Sequence, residues 1–361
     1  MSPTRRGRIV LSVVTVLVLA GGAAGAVVFL GQRAGSGNGA SGGPPSTQSP
    51  SPSSTPSPPP SVCPLSGVDP SGGTVPLRPA LAIKVENLPA ARPQTGLSWA
   101  DIVYEEPVEG SITRFIVVYQ CQDASRVEPV RSARLTDPDI LVQFGKPLFA
   151  YAGGVPKVVT AVREAGLIDV NFNTPRAAAD YHRDPNRSAP HDLYTSTRDL
   201  YAAAHGLYPA AAPDPIFTYT TKLAKGVGTK VKQVHVPFSS SSDVFWKWAS
   251  TKKVWLRYHG DVPHTLSDGT QVSAKNVIVQ VVTVTLTDVT DANGVHSPRV
   301  TSTGTGKCYV FRNGKVVEGT WVRKSLHDVT KFEDASGAEI PLAPGNTWIE
   351  LLPTGIPVTI I

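Results

Sequence analysis

Residues 100–134 read ADIVYEEPVEGSITRFIVVYQCQDASRVEPVRSAR, and this stretch decides the fold of the first half of the chain. Its segment Ile102–Glu105 predicts one strand, and Ile112–Gln120, which is rich in Val, Ile, Phe and Tyr, predicts a central strand. Glu109-Gly110 between them indicates a turn. Because charged residues are interleaved with this β pattern, we look for a functional site here.

Three arginines of this stretch are candidate ligand contacts: Arg114, Arg131 and Arg134. Strand alternation places Arg114 on the same face as Ile112 and Ile116, and an arginine on a buried face requires a partner. If the two arginine-bearing segments are neighbours, three guanidinium groups converge, and their planar forks suit phosphate or carboxylate.

The residues that follow place the last two arginines at a helix entrance. Thr136 or Asp137 is suited to cap a short helix that extends to Phe144. Free backbone N–H groups at such an entrance favour an anion. We therefore expect Arg131 and Arg134 to matter more for binding than Arg114.

The acids of the same stretch leave two interpretations open. Glu105 or Glu109 is a candidate general base beside a bound anion. Alternatively, these two acids, together with Asp101 and Glu106, only neutralise the arginines and fix the fold. The sequence does not decide whether the protein is an enzyme.

Three further residues are candidates outside this stretch. Gly153 and Gly154 follow an apolar strand, where glycine lets a ligand approach the backbone, although Gly-Gly at a strand end is also ordinary turn chemistry. His191 lies in a loop beside charged residues and is a weak candidate for acid–base chemistry; a structural role is the alternative.

The N-terminal region predicts export. Residues 1–8 form a basic stub with Arg5, Arg6 and Arg8, and residues 9–30 contain no charged residue, which predicts a transmembrane signal-anchor helix with the N-terminus in the cytoplasm. A cleaved signal peptide, with secretion of the rest, is the alternative. Residues 31–62, rich in Pro, Ser and Gly, predict a disordered linker.

The net charge of +6 is mostly a property of this N-terminal region. Four arginines are the only charged residues before Cys63, so the remainder has 30 basic and 28 acidic residues and a balance of +2. There is no basic stripe, and an exported location also argues against a nucleic-acid partner.

Three cysteines in an exported chain predict one disulfide and one remaining thiol. We favour Cys63–Cys121, because it would join the start of the folded region to the end of a strong strand. Cys121–Cys308 is the alternative pairing. No Cys/His spacing resembles a zinc site, and we expect neither a metal nor a cofactor.

The rest of the chain predicts an α+β protein of two domains. Residues 63–212 alternate strand and helix patterns and indicate an N-terminal mixed α/β domain with a central sheet. Residues 213–230 are the predicted junction, and residues 231–361 indicate a smaller β-rich C-terminal domain.

Several motifs together resemble the YerB-like family of bacterial cell-envelope proteins. They are RPALAIKVENLPAARPQTGLSWADIVYEEPVEGSITRFIVVYQ, VEPVRSAR, YAGG and GNTWIELLP, of which VEGSITRF and VEPVRSAR are the most specific. The resemblance spans Pro79 to Pro353 and implies an N-terminal and a C-terminal domain, both of unknown function. Many members are lipoproteins, whereas this chain departs from that pattern in its predicted membrane-spanning anchor.

These observations predict a membrane-anchored extracytoplasmic protein that binds an anionic envelope ligand through its arginines. A lipid-linked phosphate and a cell-wall glycopolymer both carry suitable groups. The alternative is a non-catalytic envelope scaffold that docks a partner protein.

Overall fold

The computed structural model describes residues 60–361. The predicted stub and membrane span, and nearly all of the predicted linker, lie outside these residues. All of the described residues belong to one compact unit.

The described chain is mostly β, with three short α-helices. The helices are α1 (Thr136–Leu141), α2 (Pro156–Glu164) and α3 (Thr197–Ala203). The strands are β1 (Leu81–Glu86), β2 (Ile102–Val108), β3 (Ile112–Tyr119), β4 (Leu148–Ala150), β5 (Ile168–Asp169), β6 (His182–Arg183), β7 (Leu193–Tyr194), β8 (Thr229–Lys230), β9 (Gln233–Ser239), β10 (Ser242–Ala249), β11 (Val254–His259), β12 (Val262–Pro263), β13 (Ser273–Ala274), β14 (Asn276–Val282), β15 (Val284–Thr290), β16 (His296–Val300), β17 (Gly304–Arg312), β18 (Lys315–Arg323), β19 (Lys331–Glu333), β20 (Thr347–Pro353) and β21 (Thr359–Ile360).

The predicted α+β class is therefore only partly right. Strands were expected throughout, but a mixed α/β first half was not obtained, because its main strands β2 and β3 join as an antiparallel hairpin rather than through a helical crossover. Of the first-half helices, only α2 connects two parallel neighbours, β4 and β5.

One eleven-stranded sheet takes strands from both halves of the sequence. Its order is β19-β18-β17-β14-β20-β2-β3-β1-β4-β5, with β8 paired to β18. Strand β20, which contains the WIELLP motif, pairs in parallel with β14 on one side and β2 on the other. This late strand therefore joins first-half and second-half strands, and the division into two domains stays a prediction.

Both faces of this sheet are buried, and each has its own hydrophobic core. Phe115 and Val117 of β3 belong to the core that includes Trp246 of a six-stranded sheet, whose order is β12-β11-β10-β9-β21 with β13 paired to β11. Ile116 and Val118 face the other way, into a core with Tyr151 and residues of α1 and α2. Charged side chains of β1–β3 therefore lie in one of two enclosed environments, and strand alternation selects which one.

The three cysteines have different environments. Cys63 and Cys121, whose Cα atoms are 5.9 Å apart, form a disulfide, and Cys308 is free and buried. This is the pairing that the sequence favours, and it links the first described segment to the segment that follows the central strand β3.

Candidate functional site

The three predicted arginines converge on one open cleft of about 370 Å³. We call it the arginine cleft. It is lined by Glu109, Arg114, Arg131, Ser132, Arg134, Gly154, Val155, Val158, residues 290–293 and Ser297. Arg114 comes from β3, and the other two arginines come from the segment between β3 and α1. The fold thus brings Arg114 together with Arg131 and Arg134, which follow it by 17 and 20 residues in the sequence.

Arg134 is already satisfied by a carboxylate. Its Nε and Nη2 donate to Glu109 Oε2 at 2.8 and 2.6 Å, and its Nη1 donates to the carbonyl of Ala133 at 2.8 Å. Burial raises the pKa of the Glu109 carboxyl, but the hydrogen bonds and charge of Arg134 outweigh it and leave that pKa below its usual range. Glu109 is thus a charge partner for Arg134 and a poor general base.

Arg114, in contrast to Arg134, is not satisfied by a carboxylate. It is only 6% exposed, and its single side-chain hydrogen bond in the described chain runs from Nη1 to the carbonyl of Ser132 at 3.1 Å. Its Nε has no hydrogen-bond partner in residues 60–361. Burial, followed by the charges of Arg134 and Arg131, lowers the pKa of Arg114 to about 10. It therefore remains a buried cation at neutral pH with donors to spare, and such a group is costly without an anion.

Arg131 is held by an ion pair and keeps free donors. Its Nε lies 3.0 Å from Glu86 Oε1, but the two atoms are not aligned for a hydrogen bond, and the side chain is 21% exposed. The other oxygen of Glu86, Oε2, lies 2.6 Å from His191 Nδ1. His191 is thus a neighbour of Glu86 and does not line the arginine cleft. The side chain of Arg131 reaches the cleft with hydrogen-bonding capacity left.

A buried charge cluster holds the backbone of the loop that carries Arg131 and Arg134. Lys84 Nζ contacts Asp137 Oδ1 at 2.6 Å and also Glu106 Oε1, and all three side chains are fully buried. The same residues hold the loop that carries the arginines. Arg131 N–H donates to the Lys84 carbonyl at 2.8 Å, and Arg134 N–H donates to Asp137 Oδ2 at 2.6 Å.

This arrangement changes the expected ranking of the arginines. Helix α1 begins at Thr136, but Arg134 N–H at its entrance is occupied by Asp137, and the helix has only six residues. The predicted free amides at that point are therefore not the anion contacts. Arg114 and Arg131, with unsatisfied donors, are better placed than Arg134 to bind a ligand.

The opposite wall of the arginine cleft comes from the β15–β16 hairpin, which the sequence did not identify. Ser297 Oγ donates to Glu109 Oε1, and Asp291 and Asn293 line the cleft. Arg299 anchors the hairpin through two hydrogen bonds to Asp139, at 2.7 and 2.9 Å. Nearly two hundred residues separate this wall from Arg114, and no local pattern in the sequence marks it.

The charges that line the arginine cleft leave a positive excess. Three arginines face two carboxylates, those of Glu109 and Asp291, so the lining carries one net positive charge. A guanidinium with spare N–H donors in a partly enclosed site suits one anionic oxygen group, either phosphate or carboxylate.

Glu105 belongs to a different environment, which corrects its prediction as a base in this site. Its carboxylate points to the face opposite Arg114, because β2 and β3 alternate together. There it accepts from Arg257 Nη2 and Thr113 Oγ1, both at 2.5 Å, and its side chain is fully buried. Its cross-strand neighbour is Glu350, whose pKa is raised well above its usual range, first by burial and then by the charge of Glu105.

The two predicted glycines have separate roles. Gly154 lines the cleft beside the start of α2. Gly153 does not line it. It has a φ of 72°, and its carbonyl accepts from Ala133 N–H at 3.0 Å. Gly153 therefore supports the arginine-bearing loop, since a positive φ of this kind favours glycine.

Comparisons with known proteins cover most of the chain. Family models described as the N-terminal and C-terminal domains of a protein of unknown function (DUF3048) match residues 65–209 and 234–349. "Putative lipoprotein YerB" of Bacillus subtilis (strain 168) is 26% identical over 303 residues, which are 80% of this chain and 86% of that protein. The crystal structure of the YerB protein from Bacillus subtilis matches with a TM-score of 0.72 at 26% identity, over 83% of this chain and 99% of that one.

The name of this relative contradicts the predicted localisation. A lipoprotein is held by covalently attached acyl chains and not by a spanning helix. The prediction of a single-pass membrane protein is therefore not retained. Within residues 60–361, none of the helices has the length and apolar character needed to cross a membrane. The predicted span at 9–30 lies outside the described residues.

Proposed function

The chain belongs to the DUF3048 family of proteins of unknown function, and we propose that it binds an anionic component of the bacterial cell envelope in the arginine cleft. The ligand contributes a phosphate or carboxylate group, and Arg114 and Arg131 donate to it. Arg134, held by Glu109, shapes the site and adds to its positive field. Gly154 leaves space beside the start of α2.

The observation that carries this proposal is the buried, unpaired guanidinium of Arg114. No carboxylate of residues 60–361 lies within ion-pair distance of it, whereas Arg131 and Arg134 each have one. Buried charges are normally paired, since an isolated one costs several kcal/mol. An arginine left unpaired at the wall of an open cleft is best explained by a ligand that supplies the missing charge.

Binding and not catalysis is what the site supports. Glu109 has a lowered pKa, and its carboxylate accepts hydrogen bonds from Arg134 and Ser297. Glu105 lies on the other face of the sheet, and His191 contacts Glu86 and does not line the cleft. None of these three groups is placed to exchange a proton with an anion held by Arg114. The envelope location of the ligand is supported by the relative that is described as a lipoprotein.

Isothermal titration calorimetry with inorganic phosphate, methyl phosphate and acetate tests the proposal. Arg114→Gln and Arg131→Gln each remove a positive charge and should weaken binding at least tenfold, since charge-assisted hydrogen bonds contribute about 1.5–3 kcal/mol. Arg163→Gln, on α2 with its side chain 66% exposed and outside the cleft, is the matched control and should bind like wild type.

Two results would contradict the proposal. The first is absence of saturable binding of all three anions by the wild-type protein. The second is equal loss of affinity in the Arg114→Gln and Arg163→Gln variants, which would mean that the anions bind diffusely. A screen against undecaprenyl phosphate analogues, nucleotide sugars and peptidoglycan fragments then identifies the natural source of the anionic group.

A further inference from the structure

A second, apolar groove of about 590 Å³ adjoins the arginine cleft. Its apolar lining includes Val108 and Ile112 beside the β2–β3 turn, Phe238 of β9, and Leu286, Val295 and Pro298 of the β15–β16 hairpin. The side chains of Leu286 and Val295 are unusually open to solvent, since these residues are 74% and 44% exposed. Exposed apolar side chains that share one groove mark a binding surface more often than scattered ones do.

The groove and the cleft meet at two places. Glu109 lines both of them. At the tip of the hairpin, Asn293 lines the arginine cleft and the next residue, Gly294, lines the apolar groove. Along β16, Ser297 bonds to Glu109 in the cleft, whereas its neighbours His296 and Pro298 line the groove. The two faces of one hairpin thus border the two sites.

Two glycines of the groove directly follow residues of the cleft: Gly110 follows Glu109, and Gly294 follows Asn293. Gly110 of the β2–β3 turn and Gly294 of the hairpin tip both have positive φ, of 73° and 78°, and open space where a Cβ atom would lie. A chain attached to a group in the arginine cleft therefore meets no side chain of these two residues on its way to the groove. The charge and the apolar surface are arranged for the two ends of a single molecule.

We infer that the anionic ligand is an amphiphile, with its phosphate or carboxylate in the arginine cleft and its hydrocarbon chain in the apolar groove against Leu286 and Val295. This inference rests on the proposed function, because the cleft must bind the anionic end. It commits the groove to one occupant, the hydrocarbon chain of that ligand. A cell-wall glycopolymer has no such chain and would leave the groove empty.

The test compares methyl phosphate, octyl phosphate and octyltrimethylammonium by isothermal titration calorimetry below their micelle concentrations. Each buried methylene group adds about fourfold in affinity, so two or more in the groove should make octyl phosphate at least tenfold tighter than methyl phosphate. Octyltrimethylammonium has the same chain with a positive head and should not bind at the cleft.

A groove variant separates the chain from the head group. Leu286→Ser/Val295→Ser alters exposed side chains and should reduce octyl phosphate to the affinity of methyl phosphate, without changing the latter. Leu207→Ser/Val262→Ser replaces two exposed residues of the same types, 45% and 67% exposed, outside the groove and should retain the preference.

Three outcomes would overturn the inference while leaving the anion site intact. They are equal affinity of wild type for octyl and methyl phosphate, a groove variant that keeps the tenfold preference, and tighter binding of a glycerol phosphate polymer that the groove variant does not affect. In each of them methyl phosphate still binds in an Arg114-dependent way. Failure of the proposed function differs, since methyl phosphate itself would then not bind.

Discussion

Glu105 and Glu106 follow one another in strand β2, yet their carboxylates lie on opposite faces of the sheet and in separate charge clusters. Glu105 pairs with Arg257, and Glu106 pairs with Lys84, in both cases with fully buried side chains. Cross-strand register places Glu106 opposite Arg114. The arginine cleft is therefore built on the Glu106 face, and the Glu105 face is a separate buried network.

Removal of the Arg114 guanidinium should stabilise the protein. Arg114→Met replaces a buried cation, flanked by two other arginines, with an apolar chain of similar length, and hydrophobic replacement even of a buried ion pair is neutral or adds about 1–4 kcal/mol to the free energy of unfolding. Urea denaturation measures this. Arg323→Met is the control, because Arg323 is also buried but donates to the carbonyls of Leu326 and Asp328, and its loss should destabilise. Equal destabilisation by both changes would mean that Arg114 is purely structural.

Removal of the Arg134 side chain should instead destabilise the protein. Arg134→Ala leaves the buried carboxylate of Glu109 without its charge partner and should cost about 3 kcal/mol of unfolding free energy. The double variant Arg134→Ala/Glu109→Gln should recover part of this loss, and a double-mutant cycle gives the coupling. The exposed pair Arg163–Asp169 is the reference, with an expected coupling below about 1 kcal/mol. Equal coupling in the two pairs would refute the structural role of Arg134.

The buried cluster of Lys84, Glu106 and Asp137 should make stability depend on pH. Burial raises the pKa of the Glu106 carboxyl to about 7, against the opposing charge of Lys84. Between the ordinary value of 4.5 and about 7, the folded protein holds a proton that the unfolded chain releases. The contribution of Glu106 to stability is thus fully present below pH 4.5 and is lost as pH rises through 7, by on the order of 1 kcal/mol per pKa unit.

Glu106→Gln should remove this contribution, because glutamine does not titrate. Urea denaturation of wild type and variant between pH 4.5 and 8 gives the difference in slope. Glu164→Gln, on the exposed side of α2, should keep the wild-type slope. A Glu106→Gln variant with an unchanged slope would show that another group holds the proton.

Loss of the Cys63–Cys121 disulfide should destabilise the protein substantially. The bond closes a loop with a sequence separation of 58, for which the chain-entropy relation gives about 4 kcal/mol. Cys63→Ser/Cys121→Ser should unfold at correspondingly lower urea concentration, and dithiothreitol should shift wild type toward the variant without affecting the variant. A reductant effect on the variant would contradict this interpretation, because its one remaining cysteine, Cys308, is a free thiol that dithiothreitol leaves unchanged.

Much of the secondary structure of the N-terminal half can be predicted from the sequence, because it follows from patterns within a few residues. The hairpin of β2 and β3 follows from alternating apolar residues around a turn. The same period-two alternation placed Arg114 on a buried face. These inferences depend on neighbours within a few residues, which the sequence shows directly.

The ranking of the arginines could not be obtained in this way. The sequence ranks Arg134 above Arg114 because free amides are expected at a helix entrance, yet the N–H of Arg134 donates to Asp137. Glu105 was grouped with Glu109 because they are close in sequence, although they lie on opposite faces. Which donors stay unsatisfied depends on partners such as Glu86, which comes from β1.

By itself, the sequence determined that charged residues would lie within a buried β framework, and it selected the three arginines that meet in the cleft. The tertiary structure alone decided which arginine is left unpaired, and it brought the β15–β16 hairpin across from the C-terminal half to form the opposite wall with Ser297. The physical reason is that strand periodicity is a local property, whereas the pairing of buried charges depends on long-range register, and here β20 sets that register by joining β14 to β2.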